Sequence, residues 1–443
     1  MIIDFAVSNF GPIKDEVTLS FEADKTDNLE EYYIINENTC GIRLLKLGFI
    51  YGPNASGKTT ILKALDFLRD LVTEPLSKKT DTFNYLPFLF DKDTPEKNTT
   101  FTLNFIHNNK RYLYKVEINK RAVVREELFN FDPKKANVFD RTTDMEKELT
   151  TISFGGKITK DKKNKFKKIY QEAIESNTLW NNTVIGGFLK TNIEMPVLKE
   201  VADWFRLILY PVIYPDTPLL GFTTKKISDG SIKKDSILKY LNTADMGISD
   251  IIFNEKEEEV PEYIINLLEK EAKIKPETLA KIKKEKKIIS QEVLFNHKIN
   301  NTENYQLPGE EESSGTKKYY GLSSILDLIC KNISVLSIDE IESSLHPDLI
   351  KHFLLTFLAN SKKGQLILTT HWRELFLERD ILRDDAIWFT EKKNDGSIEL
   401  FSLADFDTSV LRPTSSLYNA YKAGRLGARP NLGDYELGGS DGA

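Results

Sequence analysis

The alternation of apolar and polar positions divides the chain into two strand-bearing ends and a helix-rich middle. Residues 1–130 read mainly as short β-rich runs: Ile2–Val7, Val17–Phe21, Leu47–Tyr51, Phe101–Ile106 and Tyr112–Ile118, with a hairpin turn at His107-Asn108-Asn109-Lys110. Leu47-Gly48-Phe49-Ile50-Tyr51 does not alternate, which predicts a strand buried on both faces of a mixed or parallel sheet. Apolar residues at 61, 62, 65, 68, 71 and 72 then follow a helical period, so a strand, a Gly-containing turn and a helix come in that order.

From Lys157 to Lys287 the chain turns Lys- and Glu-rich, with breaks at Pro196, Pro211, Pro215, Pro218, Pro261 and Pro276, and reads as short helical pieces. Strand and helix alternate again from Gln291, with strands expected at Val335–Ile338, Gln365–Thr369, Ala386–Phe389 and Ile398–Phe401. The expected organisation is an α/β core split between residues 1–156 and 291–443 and interrupted by a helical insertion at 157–290.

Composition narrows the class. The 443 residues allow two or three domains, or one with a large insertion, at about 100–200 residues per domain. A 40% hydrophobic share is that of a globular protein, and the net charge of −6 gives no global field for nucleic acid or an anionic membrane. Two cysteines, Cys40 and Cys330, make no disulfide framework. The N-terminus carries Asp4 in its first apolar run, unlike a signal peptide. The longest apolar stretch, Trp204 to Tyr214, contains Arg206 and Pro211 and is too short to span a bilayer. A cytoplasmic protein with no membrane partner is expected.

Gly52-Pro53-Asn54-Ala55-Ser56-Gly57-Lys58-Thr59 matches G-x-x-x-x-G-K-[ST] between a strand and a helix, the context this phosphate-binding motif requires. Backbone N–H groups of such a loop point inward at phosphate oxygens, and the helix start, with Thr60, adds its dipole. Lys58 is then placed for the β- and γ-phosphates and Thr59 for Mg²⁺. A second apolar strand, Ile333 to Ile338, ends in Asp339-Glu340. Asp339 can hold the metal and Glu340 can orient an attacking water. Glu311-Glu312-Ser313-Ser314-Gly315-Thr316 precedes a helix expected over Lys317–Cys330, a further anion-binding arrangement, and His371 ends another strand within reach of a γ-phosphate.

In this order the motifs resemble the ABC-type ATPases, in the branch with structural-maintenance, Rad50-like and RecF-like proteins. Gly52–Thr59 looks like Walker A, Ser313–Thr316 like a degenerate signature, Asp339-Glu340 like Walker B, Ser343–Pro347 like the D-loop and His371 like the switch histidine. Val7–Lys14, Glu340–Pro347, Thr369-Thr370-His371 and Leu417–Ala428 bring the chain closer to bacterial abortive-infection ATPases related to the overcoming-lysogenization-defect proteins. The signature lacks its leading Leu and second Gly. Ala55 stands where ABC-type loops have Gly, which is tolerable at a negative φ.

The resemblance implies an ABC-type core of mixed sheet, flanking helices and an antiparallel β subdomain, with ATP and Mg²⁺ as ligands. Glu340 and His371 would act in hydrolysis; residues 52–60, Ser314 and Gly315 would bind nucleotide; Thr59 and Asp339 would ligate the metal. It also implies a homodimer or higher oligomer, because the signature of one copy closes on the ATP of another. Residues 372–443 leave no room for a nuclease domain, so a separate small nuclease or toxin is expected as effector in anti-phage defence. Lysines clustered at 157–168 and 281–287 are candidate DNA or RNA contacts. The alternatives are a RecF- or Rad50-like DNA repair ATPase and an ATP-dependent scaffold with little turnover.

Overall fold

The computed structural model describes residues 1–36, 39–159, 168–265, 276–299, 303–406 and 416–429. They fall into two compact units, one made of Met1–Pro215, Ile329–Ser343 and Phe357–Ala443, the other of Asp216–Leu328 and Ser344–Thr356.

The strands, in chain order, begin with β1 (Ile2–Ser8), β2 (Val17–Ser20), β3 (Ile34–Ile35), β4 (Leu44–Leu45) and β5 (Leu47–Tyr51). Next come β6 (Thr99–His107), β7 (Lys110–Ile118), β8 (Val123–Phe131), β9 (Lys135–Asp144) and β10 (Leu149–Phe154). The remainder are β11 (Ile248–Glu259), β12 (Lys287–Ile299), β13 (Glu303–Pro308), β14 (Ser334–Ile338), β15 (Gly364–Thr370), β16 (Ile387–Lys392) and β17 (Ile398–Ser402).

Two sheets dominate the first unit. One has five strands in the order β14-β15-β5-β16-β17, parallel except for the antiparallel edge strand β17. Every residue of β5, β14 and β15 is buried, as expected of strands covered on both faces. The other is a seven-stranded antiparallel sheet, β10-β9-β8-β7-β6-β1-β2. In β6 burial alternates along most of the strand, the mark of one covered face. The strands expected up to Ile118 are present, and β8, β9 and β10 extend the sheet beyond them.

The segment expected as a helical insertion at 157–290 is only partly so. It holds helices such as Lys168–Asn177, Leu219–Ser228 and Lys234–Thr243, but also β11, which pairs with β12 along its whole length. The compact unit begins at Asp216, not at residue 157. The apolar run after Trp204 belongs to the nucleotide-binding sheet's edge: Tyr210 N–H donates to the Val335 carbonyl at 2.9 Å and Ile213 N–H to the Ser337 carbonyl at 2.9 Å. Sequence reading missed this because Pro211 and Pro215 mark breaks without saying what lies between them, and because β-rich lysine and glutamate runs mimic solvated helix.

The second unit carries the three-stranded antiparallel sheet β11-β12-β13. Of the lysine runs, residues 160–167 and the Lys157 side chain lie outside the described residues, while Lys168 pairs with Glu172 at 3.6 Å. The second run is divided among a helix, a turn and a strand, with Lys287 paired to Glu257 at 2.8 Å and Lys286 to Glu262 at 3.9 Å. Among the described residues no helix is long and apolar enough to cross a membrane.

Candidate functional site

Three neighbouring parallel strands deliver the site at their C-terminal ends, where an α/β sheet places its ligand crevice. β5 leads into residues 52–57 and the helix Lys58–Thr73; β14 leads into Asp339-Glu340; β15, between them, leads into His371.

The two loop glycines are required for different reasons. A Cβ on Gly52 would lie 2.3 Å from Thr390 Oγ1, 2.4 Å from Ser56 Oγ and 2.7 Å from the Thr390 carbonyl oxygen, so there is no room for one. Gly57 has φ +95°, a conformation that L side chains rarely adopt. Ser56 and Thr390 share a hydroxyl hydrogen bond of 2.6 Å, which ties the loop to β16. Ala55 has φ +63°, not the negative φ that would have made its methyl group harmless. The loop keeps the backbone shape of a glycine at the cost of about 1–2 kcal/mol of strain.

Lys58 is buried, and its Nζ donates to the carbonyls of Gly52 at 2.7 Å and Pro53 at 3.0 Å. Burial pulls its pKa down against the opposing pull of Glu342, Glu340 and Asp339. A cleft of about 350 Å³ is lined by Pro12, residues 54–60 and Glu340.

The acidic pair meets the loop directly. Thr59 Oγ1 lies 3.0 and 2.9 Å from the two carboxylate oxygens of Asp339, so a hydroxyl and a carboxylate from two motifs are within one coordination sphere. One hard carboxylate and one hydroxyl fit Mg²⁺, a cation that prefers oxygen ligands. Asp339 is held from two more sides: its N–H donates to the Ile213 carbonyl at 2.8 Å, and Thr369 Oγ1 donates to its Oδ1 at 2.5 Å. The same Thr369 hydroxyl accepts the Glu340 N–H at 2.8 Å. Glu340 itself sits at φ +48°, outside the ordinary range for a carboxylate residue. Its strained backbone is stabilised by this bond and by Ser343 N–H donating to its carbonyl at 2.8 Å.

His371 is more than half exposed, yet Glu342 Oε1 accepts its backbone N–H at 2.7 Å and lies 2.8 Å from the Nδ1 of its ring. Glu342 and Thr369 are the residues that sequence reading missed. The β14–β15 register pairs Ile338 with Leu368, which brings Asp339 beside Thr369. Register between parallel strands is set by packing and leaves no local signal in the sequence.

The signature residues belong to the second unit, and the P-loop, Asp339-Glu340 and His371 to the first. The helix starts at Ser314 rather than Lys317, with Ser313 as its cap: Ser313 Oγ accepts the Thr316 N–H at 3.1 Å. A Cβ on Gly315 would meet the Ser344 carbonyl oxygen at 3.1 Å, which explains a small residue there. Ser314 is exposed and Gly315 half-buried.

A mixed sheet whose central strand feeds a P-loop, with a histidine at the end of the adjacent strand and an acidic pair at the end of the next one, defines an ABC-type P-loop ATPase fold. The chain belongs to the family described as "AAA domain, putative AbiEii toxin, Type IV TA system", which matches residues 48–179 and 229–377, more than half its length. No curated protein matches it. Among solved structures it is similar to an SMC head bound to the C-terminal winged-helix domain of ScpA (13% identity, TM-score 0.40, covering 95% of this chain and 99% of that one). Also similar are the SMC head domain of Thermotoga maritima (13%, 0.40, 90% and 98%) and an SMC head with an extended coiled coil bound to a ScpA C-terminal domain derived from Pyrococcus furiosus (13%, 0.35, 95% and 98%).

Proposed function

We propose that the chain binds Mg-ATP in the P-loop cleft and hydrolyses it. The observation that carries this reading is the contact of Thr59 with Asp339, with Glu340 lining the same cleft. Backbone amides of the P-loop hold the phosphates, and Lys58 leaves the carbonyls of Gly52 and Pro53 to meet the β- and γ-phosphates. Thr59 and Asp339 would hold a magnesium ion, which when bound would neutralise charge on the phosphate oxygens. Glu340 orients the attacking water and His371 contacts the γ-phosphate. Ser314 and Gly315 of a second copy complete the site, making a head-to-tail dimer that ATP joins and hydrolysis releases.

In cellular terms the ATPase regulates a separate toxic effector in anti-phage defence. The family description, with its toxin–antitoxin vocabulary, supports this placement. Nucleotide binding tests the core of the reading. Wild-type chain binds Mg-ATP, whereas Lys58→Ala loses most of that affinity; equal affinity of the two proteins contradicts it.

A further inference from the structure

We infer that Glu342 is a positioning residue for His371, holding the switch imidazole in one tautomer and one orientation. The inference rests on the ATPase reading and deepens it.

The His371 side chain is 54% exposed, and packing alone leaves such an imidazole room to turn about its side-chain torsions. One carboxylate oxygen removes that freedom. Glu342 Oε1 takes the backbone N–H at 2.7 Å and faces Nδ1 at 2.8 Å, so the ring is fixed relative to its own backbone. A carboxylate facing Nδ1 requires the proton there, which leaves Nε2 as the atom offered to a ligand. Glu342 is itself mostly buried, and its Oε2 has no hydrogen-bond partner among the described residues. A mostly buried carboxylate with one oxygen unsatisfied is costly for folding alone, and such a group calls for a role. Glu342 is also the foremost of the carboxylates acting on Lys58, so the lysine and the histidine that meet the same phosphate answer to one charge. The arrangement repeats the logic by which an acidic partner orients a catalytic histidine through its other ring nitrogen.

Steady-state ATP hydrolysis by the full chain tests this with four variants: Glu342→Ala, Glu342→Gln, His371→Ala and the Glu342→Ala/His371→Ala double. Glu342→Ala should lower kcat by about 10–100-fold with KM within about twofold. His371→Ala should match it, and the double variant should fall no further, because both changes remove one unit. Glu342→Gln, which keeps an oxygen acceptor, should recover about tenfold of the loss. Multiplying losses in the double variant, a change in KM alone, or an unchanged kcat in Glu342→Ala would overturn the inference. A wild-type chain with no turnover instead overturns the ATPase reading itself, and this inference with it.

Discussion

The Thr369 hydroxyl donates to Asp339 Oδ1 at 2.5 Å while accepting the N–H of Glu340 at 2.8 Å, so one buried side chain on β15 holds the Asp339 carboxylate and the Glu340 backbone that follow β14. Thr369→Val keeps the shape and removes both bonds. It leaves the Glu340 N–H without its partner, and loss of such a bond costs about 1–3 kcal/mol. Thermal unfolding should show that loss, and ATP turnover should fall more steeply than ATP affinity. Unchanged turnover would mean that Thr369 only fills space.

The P-loop makes two opposite predictions for glycine and alanine. Gly52→Ala forces a methyl group against Thr390 and Ser56, including the Thr390 carbonyl oxygen at 2.7 Å, so the loop must deform and Mg-ATP affinity must collapse. Ala55→Gly removes the strain of φ +63°, about 1–2 kcal/mol, against about 0.5–1 kcal/mol of added chain entropy. Its stability, followed by denaturant unfolding, should equal or slightly exceed wild type with nucleotide binding retained. A clear destabilisation would show that the Ala55 methyl group makes a contact worth more than the strain.

These residues also mark how far the sequence could be read. The P-loop was legible because glycine, lysine and threonine are fixed by chemistry at fixed spacing, and β5, β14 and β15 because full burial leaves short, mainly apolar runs without strict alternation. Asp339-Glu340 and His371 were legible as strand ends. The positive φ of Ala55 was not, since alanine normally signals the opposite. Thr369 and Glu342 were hidden because their partners lie about 30 residues away in sequence. β11 was hidden because its second half, Glu255–Glu259, is charged throughout, and strand pairing with β12 there is decided by the partner strand rather than by its own composition.

Glu126 gives the first unit a pH dependence of known sign. It is fully buried on β8, where Oε1 accepts the Tyr114 O–H at 2.8 Å and Oε2 the Val184 N–H at 2.7 Å. Burial, only partly opposed by the Arg141 guanidinium, pushes its carboxyl from 4.5 up to about 7. The folded chain therefore holds this proton more tightly than the unfolded chain. The resulting stabilisation is full below 4.5 and is lost as pH rises through about 7. The stability of wild type relative to Glu126→Gln should fall by up to about 3 kcal/mol between about pH 5 and about pH 8. A difference that stays constant over that range contradicts this sign.

Phosphate release by Glu340→Gln is the most direct test of the central claim, that the cleft between the P-loop and the Asp339-Glu340 pair hydrolyses ATP. The amide keeps the size and the backbone of Glu340 but cannot take a proton from water. Turnover should drop at least about 100-fold while Mg-ATP binding persists, and the nucleotide-bound variant should sediment as a dimer. Hydrolysis at the wild-type rate by Glu340→Gln would contradict the account.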